Sequence, residues 1–491
     1  MCGNTNGVAK ENRSTGTGVD TKIFGELIGT KYGVDWRDEY TVIKKLGAGI
    51  TGAVYKVEHK KMKGKLFAVK SVNLDKLDAM QLKELRNEVA LLKKLDHPHI
   101  VRLYETYESE VTIDLVMELL EGGDLYDGFK KNPKQFTETK VATLIHQLLS
   151  AVNYVHSFGI IHRDIKPANV CFRDENYENI VLIDFGIGRL APTKSRFYTA
   201  REKLTMCGTP VYVAPEILTG VYSEKVDIWA IGILTHQYLV GKCPFDSRNQ
   251  TRTLELIEAH KKLSFAHEKW LPFSDAAKSF IQSMLNPNHE DRPSAKAAME
   301  HSWFQRIGKK NSGDVSIKHQ DVLLNIQSFT RYSPIKKMAM MAVAHTLDGE
   351  QLDKLRNVFE ELDTDNTGTL SKDEIESHFN RTDNINTTSM SAKEIEEFFA
   401  SLDFDQTGII RYGEFLAAAM DASTFLKKNS LRVAFDRLDK DHSGAISVEN
   451  LKAIAGKVYD EATIQAILKE GDVKANGVID WEEFCELMGP G

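Results

Sequence analysis

The chain has 491 residues, 42% hydrophobic and 27% charged, which is too long for one core and divides into two or more domains. No apolar run approaches the roughly 20 residues of a bilayer span, no charged and then apolar secretory leader opens the chain, and the five scattered cysteines form no CxxC pair. These features exclude a transmembrane protein, a disulfide-built scaffold and a zinc ribbon, and lead us to expect a reducing, cytoplasmic location. The net charge of -7 hides an asymmetry: 30 acidic residues face 15 basic ones from Asp348 onward, against 40 and 48 before it. An acidic tail that repeats apolar pairs such as Phe398 with Phe399 should fold, and it suits cations rather than nucleic acid.

Residues 1–39 are rich in Gly, Asn, Thr and Lys and are expected to form a flexible extension. Its opening, MCGNTNG, places Gly at position 3, whereas N-myristoylation needs Gly directly after Met; Cys2 remains as a candidate for acylation and membrane association. Next comes LGAGITGAV, in which Gly47, Gly49 and Gly52 let backbone approach phosphate oxygens. A dinucleotide fold would run from such a loop into a helix, but here VYKVEH and LFAVK alternate like strands, so the loop belongs to a β-hairpin covering a nucleotide. Lys70 ends the second strand and can reach phosphates if an acid steadies it, and Glu88 in the helical LKELRNEVALLKKL is the candidate.

HRDIKPANV and LIDFGIG then supply the chemistry. Asp164 is the expected base for a substrate hydroxyl, Lys166 a counter-charge for the moving phosphoryl group, and Asn169 and Asp184 are the magnesium ligands. Taken singly, each residue has a bland reading as a solvated charge or a turn; together and in this order they do not.

On these strings, residues 40–304 resemble a eukaryotic protein kinase domain, and DIKPAN with CGTPVYVAPE resembles the Ser/Thr class. The resemblance implies a bilobal fold with an ATP cleft lined by Leu46, Gly47, Ala48, Gly49, Gly52, Val54, Ala68, Lys70, Met117, Glu118 and Asp124. It also implies structural roles for a Glu216–Arg292 ion pair and for Asp227 beneath the catalytic loop, with Thr209 beside that loop. Thr205 stands where an activating phosphate would pair with Arg163. Ala168 departs from the pattern by removing an acid that would greet a basic substrate, while Asp124 keeps a basic preference in view.

Residues 305–347 become basic, Met-rich and amphipathic, and Pro334 with Ser333 before it should begin a new helix there. Beyond them a helix–loop–helix unit repeats four times. DTDNTGTLSKDE (363–374) and DFDQTGIIRYGE (403–414) place Asp363, Asp365, Thr367 and Glu374, then Asp403, Asp405, Thr407 and Glu414, at calcium-ligand spacing, with backbone carbonyls of Thr369 and Ile409 at position 7. The third loop, 439–450, keeps Asp439, Asp441, Ser443 and Ala445 but ends in Asn450. The fourth, 472–483, keeps Asp472, Asn476, Val478 and Glu483 but has Lys474 at position 3, a cation opposing the ion. Strong binding is expected at loops one and two, and weak or absent binding at three and four. Apolar residues at position 8, Leu370, Ile410, Ile446 and Ile479, should pair the loops through short strands.

The order of kinase domain, linker and four hands in residues 348–491 resembles the calcium-dependent protein kinases. That resemblance implies an α+β chain, a bilobal kinase followed by an all-α calmodulin-like domain, using ATP, Mg and Ca. It implies a monomer acting on protein substrates, whose junction, with the basic pair Lys336 and Lys337, restrains the kinase until calcium-loaded hands grip it. A pseudokinase scaffold would have lost Lys70, Asp164 or Asp184, and none is lost; a plain calcium buffer would not need the first three hundred residues.

Overall fold

The computed structural model describes residues 24–49, 52–185, 189–190, 210–220, 222–245, 247, 249–260, 262–306, 319–345, 347, 349–381, 392–421 and 428–489. Thr205 and Thr209 lie outside them.

The amino-terminal lobe is one six-stranded sheet in the order β1 (Thr30–Tyr32), β5 (Leu103–Glu108), β6 (Thr112–Glu118), β4 (Leu66–Asn73), β3 (Gly52–His59), β2 (Tyr40–Ala48). The β2–β3 hairpin carries the glycine-rich turn, as its alternation predicts. Here the flexible extension expected for 1–39 needs correction. Residues 24–38 are folded: helix α1 (Phe24–Leu27) leads into β1, which pairs parallel with β5, and Trp36 is only 1% exposed. Trp36 joins Tyr40, Val57, Phe67, Tyr104, Tyr107 and Val116 in a small apolar core of its own, so the segment is retained by buried area that local periodicity does not reveal. Helix α2 (Ala79–Leu92) begins at a capping box of Asp78 and Gln81, which satisfies two otherwise orphaned N–H groups.

The second lobe is helical. Helix α3 (Leu125–Lys131) is capped by Asp124 and α4 (Glu138–Ser157) by Thr137. Helix α5 (Lys225–Val240) is apolar on every side and is buried accordingly, with Trp229 fully enclosed. Helices α6 (Gln250–Glu258), α7 (Asp275–Met284) and α8 (Ala295–Met299) complete the lobe.

Two junction helices follow, α9 (His319–Thr330) and α10 (Pro334–Ala344), broken where Pro334 predicts, with Ser333 Oγ accepting from the Lys336 N–H. The hands comprise α11 (Gly349–Leu362), α12 (Lys372–Arg381), α13 (Ala392–Leu402), α14 (Tyr412–Ala419), α15 (Lys428–Leu438), α16 (Val448–Ala455), α17 (Glu461–Gly471) and α18 (Trp481–Met488). Their loops pair as the position-8 residues predict, Leu370 opposite Ile410 and Ile446 opposite Ile479. Every loop turns through a left-handed residue at position 4 (Asn366, Gln406, His442, Ala475) and a left-handed glycine at position 6.

Helix α10 runs inside the hands, packed on α14, α15 and α17, with Ile335 through Ala344 all buried. The hands in turn sit on the kinase, against the loop after α2 and against α4. The Asp96 carboxylate accepts from the Gly413 N–H at 2.5 Å, His99 Nε2 lies 3.2 Å from Glu360, and Ser150 and Asn153 donate to the Asn366 carbonyl. His345, at the end of α10, bonds the Leu103 carbonyl of β5 at 2.6 Å.

Candidate active site and calcium loops

Strand β4 sits between β3 and β6, which points Lys70 into the cleft between the lobes. Its ammonium lies 3.2 Å from Asp184 and 3.8 Å from Glu88 of α2. Burial works against that charge, but Glu88 and Asp184 outweigh it and hold the Lys70 pKa above its ordinary value. These residues and Gly47, Ala48, Gly49, Gly52 and Val54 line a cavity of about 490 Å³. A side chain at position 52 would bring its Cβ to 1.9 Å from the Ser71 carbonyl oxygen, so only glycine fits that end of the turn.

Across the cleft, Lys166 donates to Asp164 Oδ2 at 2.7 Å, and Asn169 Nδ2 donates to the Asp164 carboxylate and to its carbonyl, both at 2.8 Å. The pieces are held from below by Asp227, which accepts from the N–H groups of His162 and Arg163 and from His156. Burial raises the pKa of that carboxyl, but these partners prevail and hold it below the usual range. Two residues here adopt left-handed backbone, Arg163 (φ 68°) and Asp184 (φ 61°), a strain that concentrates at working sites. Phe185 is buried against the His162 ring, and Glu216 and Arg292 form a fully buried pair.

Two expected contributions change form. The Glu118 side chain turns away from the cleft to pair with Arg173 and to accept from the Arg102 N–H, so only its backbone is left to face a nucleotide. Asp124 spends one carboxylate oxygen on capping α3 through the Asp127 N–H. Arg163, the proposed partner of a phosphate on Thr205, stacks on Tyr222 at 5.0 Å.

In the first two loops the ligand carboxylates converge. Asp363, Asp365 and Glu374 bring oxygens within 4.8 Å of one another, as do Asp403, Asp405 and Glu414. Burial pushes Asp363 up to about 8, with Glu374 and Asp365 adding to it, and burial together with Asp405 pushes Glu414 well up. Three crowded carboxylates suit a divalent cation, which would restore the charge that burial disfavours on Asp363 and Glu414. Among the described residues no such triplet forms in loops three and four. Lys474 does not oppose the ion as the sequence suggests: its ammonium turns to the carboxylates of Asp480 and Glu482, which pair with it near the surface. Sequence reasoning missed Arg411, buried at position 9 of the second loop and 3.5 Å from Asp405. It also missed the kinase-facing residues Asp96 and His99, which carry no motif.

The family model of the protein kinase domain matches residues 40–304, and that of the EF-hand domain pair matches 352–420 and 428–489. The chain is 32% identical over 450 residues to calcium-dependent protein kinase 5 of Plasmodium falciparum, covering 90% of this chain and 76% of that protein. It is 34% identical over 453 residues to calcium-dependent protein kinase 3 of Plasmodium berghei (90% and 78%), and 31% identical over 458 residues to calcium-dependent protein kinase 33 of Arabidopsis thaliana (92% and 85%). The chain belongs to the calcium-dependent protein kinases. It is a calcium-regulated Ser/Thr protein kinase that uses ATP and magnesium and binds calcium through EF-hands. Among the described residues of this kinase, no helix is long and apolar enough to cross a membrane.

Proposed function

We propose that Asp164 orients and deprotonates a substrate Ser or Thr hydroxyl, that Lys166 screens the phosphoryl group as its charge develops, and that Lys70, steadied by Glu88, holds the nucleotide phosphates. Asn169 and Asp184 would hold magnesium, which when bound neutralises charge on the β and γ phosphates. The convergence of Lys70, Glu88, Asp164, Asn169 and Asp184 on one cleft carries this reading. The substrates are proteins, with a basic preference read by Asp124. The kinase acts as a cytoplasmic monomer.

Calcium control acts through the junction. Lys336 and Lys337 are buried in the hands, donating to the Gly489 and Ser401 carbonyls and lying over the Tyr332 and Phe329 rings. A basic helix so placed is withheld from the catalytic face, and its release at low calcium would let it compete there for the substrate. A kinase ending at residue 306 should therefore phosphorylate a basic peptide without calcium. If that truncation is inactive, the second reading holds: the hands brace the kinase from behind. The contacts of Asp96 with Gly413 and His99 with Glu360 favour it, because they join loop two and the helix entering loop one to the segment just after α2, the helix that carries Glu88.

A further inference from the structure

Where the folded amino-terminal segment, the back of the kinase sheet and the third hand meet, they enclose a cavity of about 310 Å³. It shares no residue with the nucleotide cleft, and its size falls at the lower end for small-molecule sites. One side is apolar, from Leu27, Met62, Phe67 and Tyr104. The rest is charged, with five cations against three carboxylates.

All three carboxylates have cationic or phenolic partners already. Glu39 and Glu105 are taken by Lys31 and by the hydroxyls of Tyr40 and Tyr107, and Asp436 by Arg432 at 2.8 Å. Among the cations, Arg437 and Lys440 are answered only by carbonyls. Lys440, at position 2 of the third loop, donates to the Glu26 carbonyl, while the Glu26 carboxylate is held by Lys457. Arg437 is 9% exposed; it donates to the carbonyls of Ala342 and Tyr104, and its Nε finds no acceptor. Arg437 feels the field of Glu105, but that carboxylate is already bonded by Lys31, Tyr40 and Tyr107, and among the described residues no carboxylate bonds the buried guanidinium, which leaves it short of a direct counter-charge. Lys61 stands exposed at the rim.

We propose that this cavity binds a small phosphate monoester, its phosphate between Lys61, Lys440 and Arg437 and its apolar body against Leu27, Met62 and Phe67. Guanidinium and ammonium groups recognise phosphate through charge-assisted bonds, and the three lining carboxylates, Glu39, Glu105 and Asp436, are engaged by their own partners. The site exists only while the third hand is seated on the kinase, so its ligand stabilises that arrangement by mass action. A hand with a weakened ion site thereby contributes to a different one.

The test uses the full chain with calcium, its nucleotide cleft filled by magnesium and a non-hydrolysable ATP analogue. Phenyl phosphate is titrated by calorimetry, with benzyl alcohol as the uncharged comparator. One saturable site is expected, weakened about tenfold in Lys61→Glu by the loss of one charge-assisted contact, more strongly in Arg437→Met, and blocked in Met62→Trp, which fills the apolar side. Lys61 is exposed, so Lys61→Glu decides the matter even if Arg437→Met fails to fold. Absence of saturable binding, equal affinity for benzyl alcohol, or unchanged affinity in Lys61→Glu would each overturn the proposal.

Discussion

Replacing Asn450 by glutamate should turn the third hand into a tight calcium site, and the other loops show why. Glu374 reaches the Ser371 N–H with one oxygen and the Asp365 N–H with the other, at 2.9 and 3.1 Å. Glu414 does the same with Arg411 and Asp405, at 2.8 and 3.2 Å, and Glu483 with Asp480 and Lys474, at 3.0 and 2.8 Å. Each glutamate thus spans loop positions 9 and 3. Asn450 is one methylene shorter: its Oδ1 accepts from the Ser447 N–H at 3.2 Å and it offers no second oxygen to position 3. The substitution adds a charge and a second oxygen. The glutamate fits, because Glu414 and Glu483 occupy equivalent positions at 1% and 3% exposure. A full ligand set separates sensor hands from weak ones by roughly two decades in Kd, about 2.7 kcal/mol. Calorimetry on the full chain should count two tight sites in the parent and a third in Asn450→Glu. Four tight sites in the parent, or an unchanged isotherm in the variant, would refute the ligand count.

Asp164→Asn should lower the turnover number by roughly 10² to 10⁴, the usual worth of a positioned base, while calcium binding by calorimetry stays unchanged; Asp184→Asn should abolish transfer in the same assay. Glu216→Gln leaves Arg292 buried and half-paired, and should cost about 3–5 kcal/mol, read as a fall in the melting temperature of the kinase transition. Burial, reinforced by Arg437 and Arg102, holds the His345 pKa well below its ordinary value. Docking therefore requires neutral imidazole: its contribution is intact above about pH 6.5, the unperturbed value, and is lost as pH falls from there toward the depressed one. Limited proteolysis of the junction in excess calcium should accelerate as pH falls from about 6.5 toward 5.5, and the acceleration should be weaker in His345→Gln.

The catalytic strings were legible because the chemistry needs particular residues at fixed local spacings, and the same holds for the hands and for the break at Ser333 and Pro334. What the sequence did not reveal depends on partners far away in the chain. The short TKY of β1 has no period to read, and it becomes a strand only because β5, some 75 residues on, accepts it. Asp96 looks like any loop acid until Gly413 is placed above it. Lys474 was misjudged because position in a loop fixes where a Cα lies, whereas the direction of a long side chain follows its neighbours, here Asp480 and Glu482.

The left-handed residue at position 4 of every loop has a consequence for how the hands divide their labour. Ala475 takes that conformation at φ 52° with no side-chain amide of the kind that eases it for asparagine, at a cost on the order of 1 kcal/mol. All four loops share this bend, whatever their ligands. The bend therefore follows from the loop positions that all four share and not from the number of acids each carries. Loops one and two combine this bend with three crowded acids each. Loops three and four are equally bent but short of acids, so Ala475→Asn, which relieves the strain of that bend, should raise the melting temperature of the hands without changing the number of calcium ions counted by calorimetry.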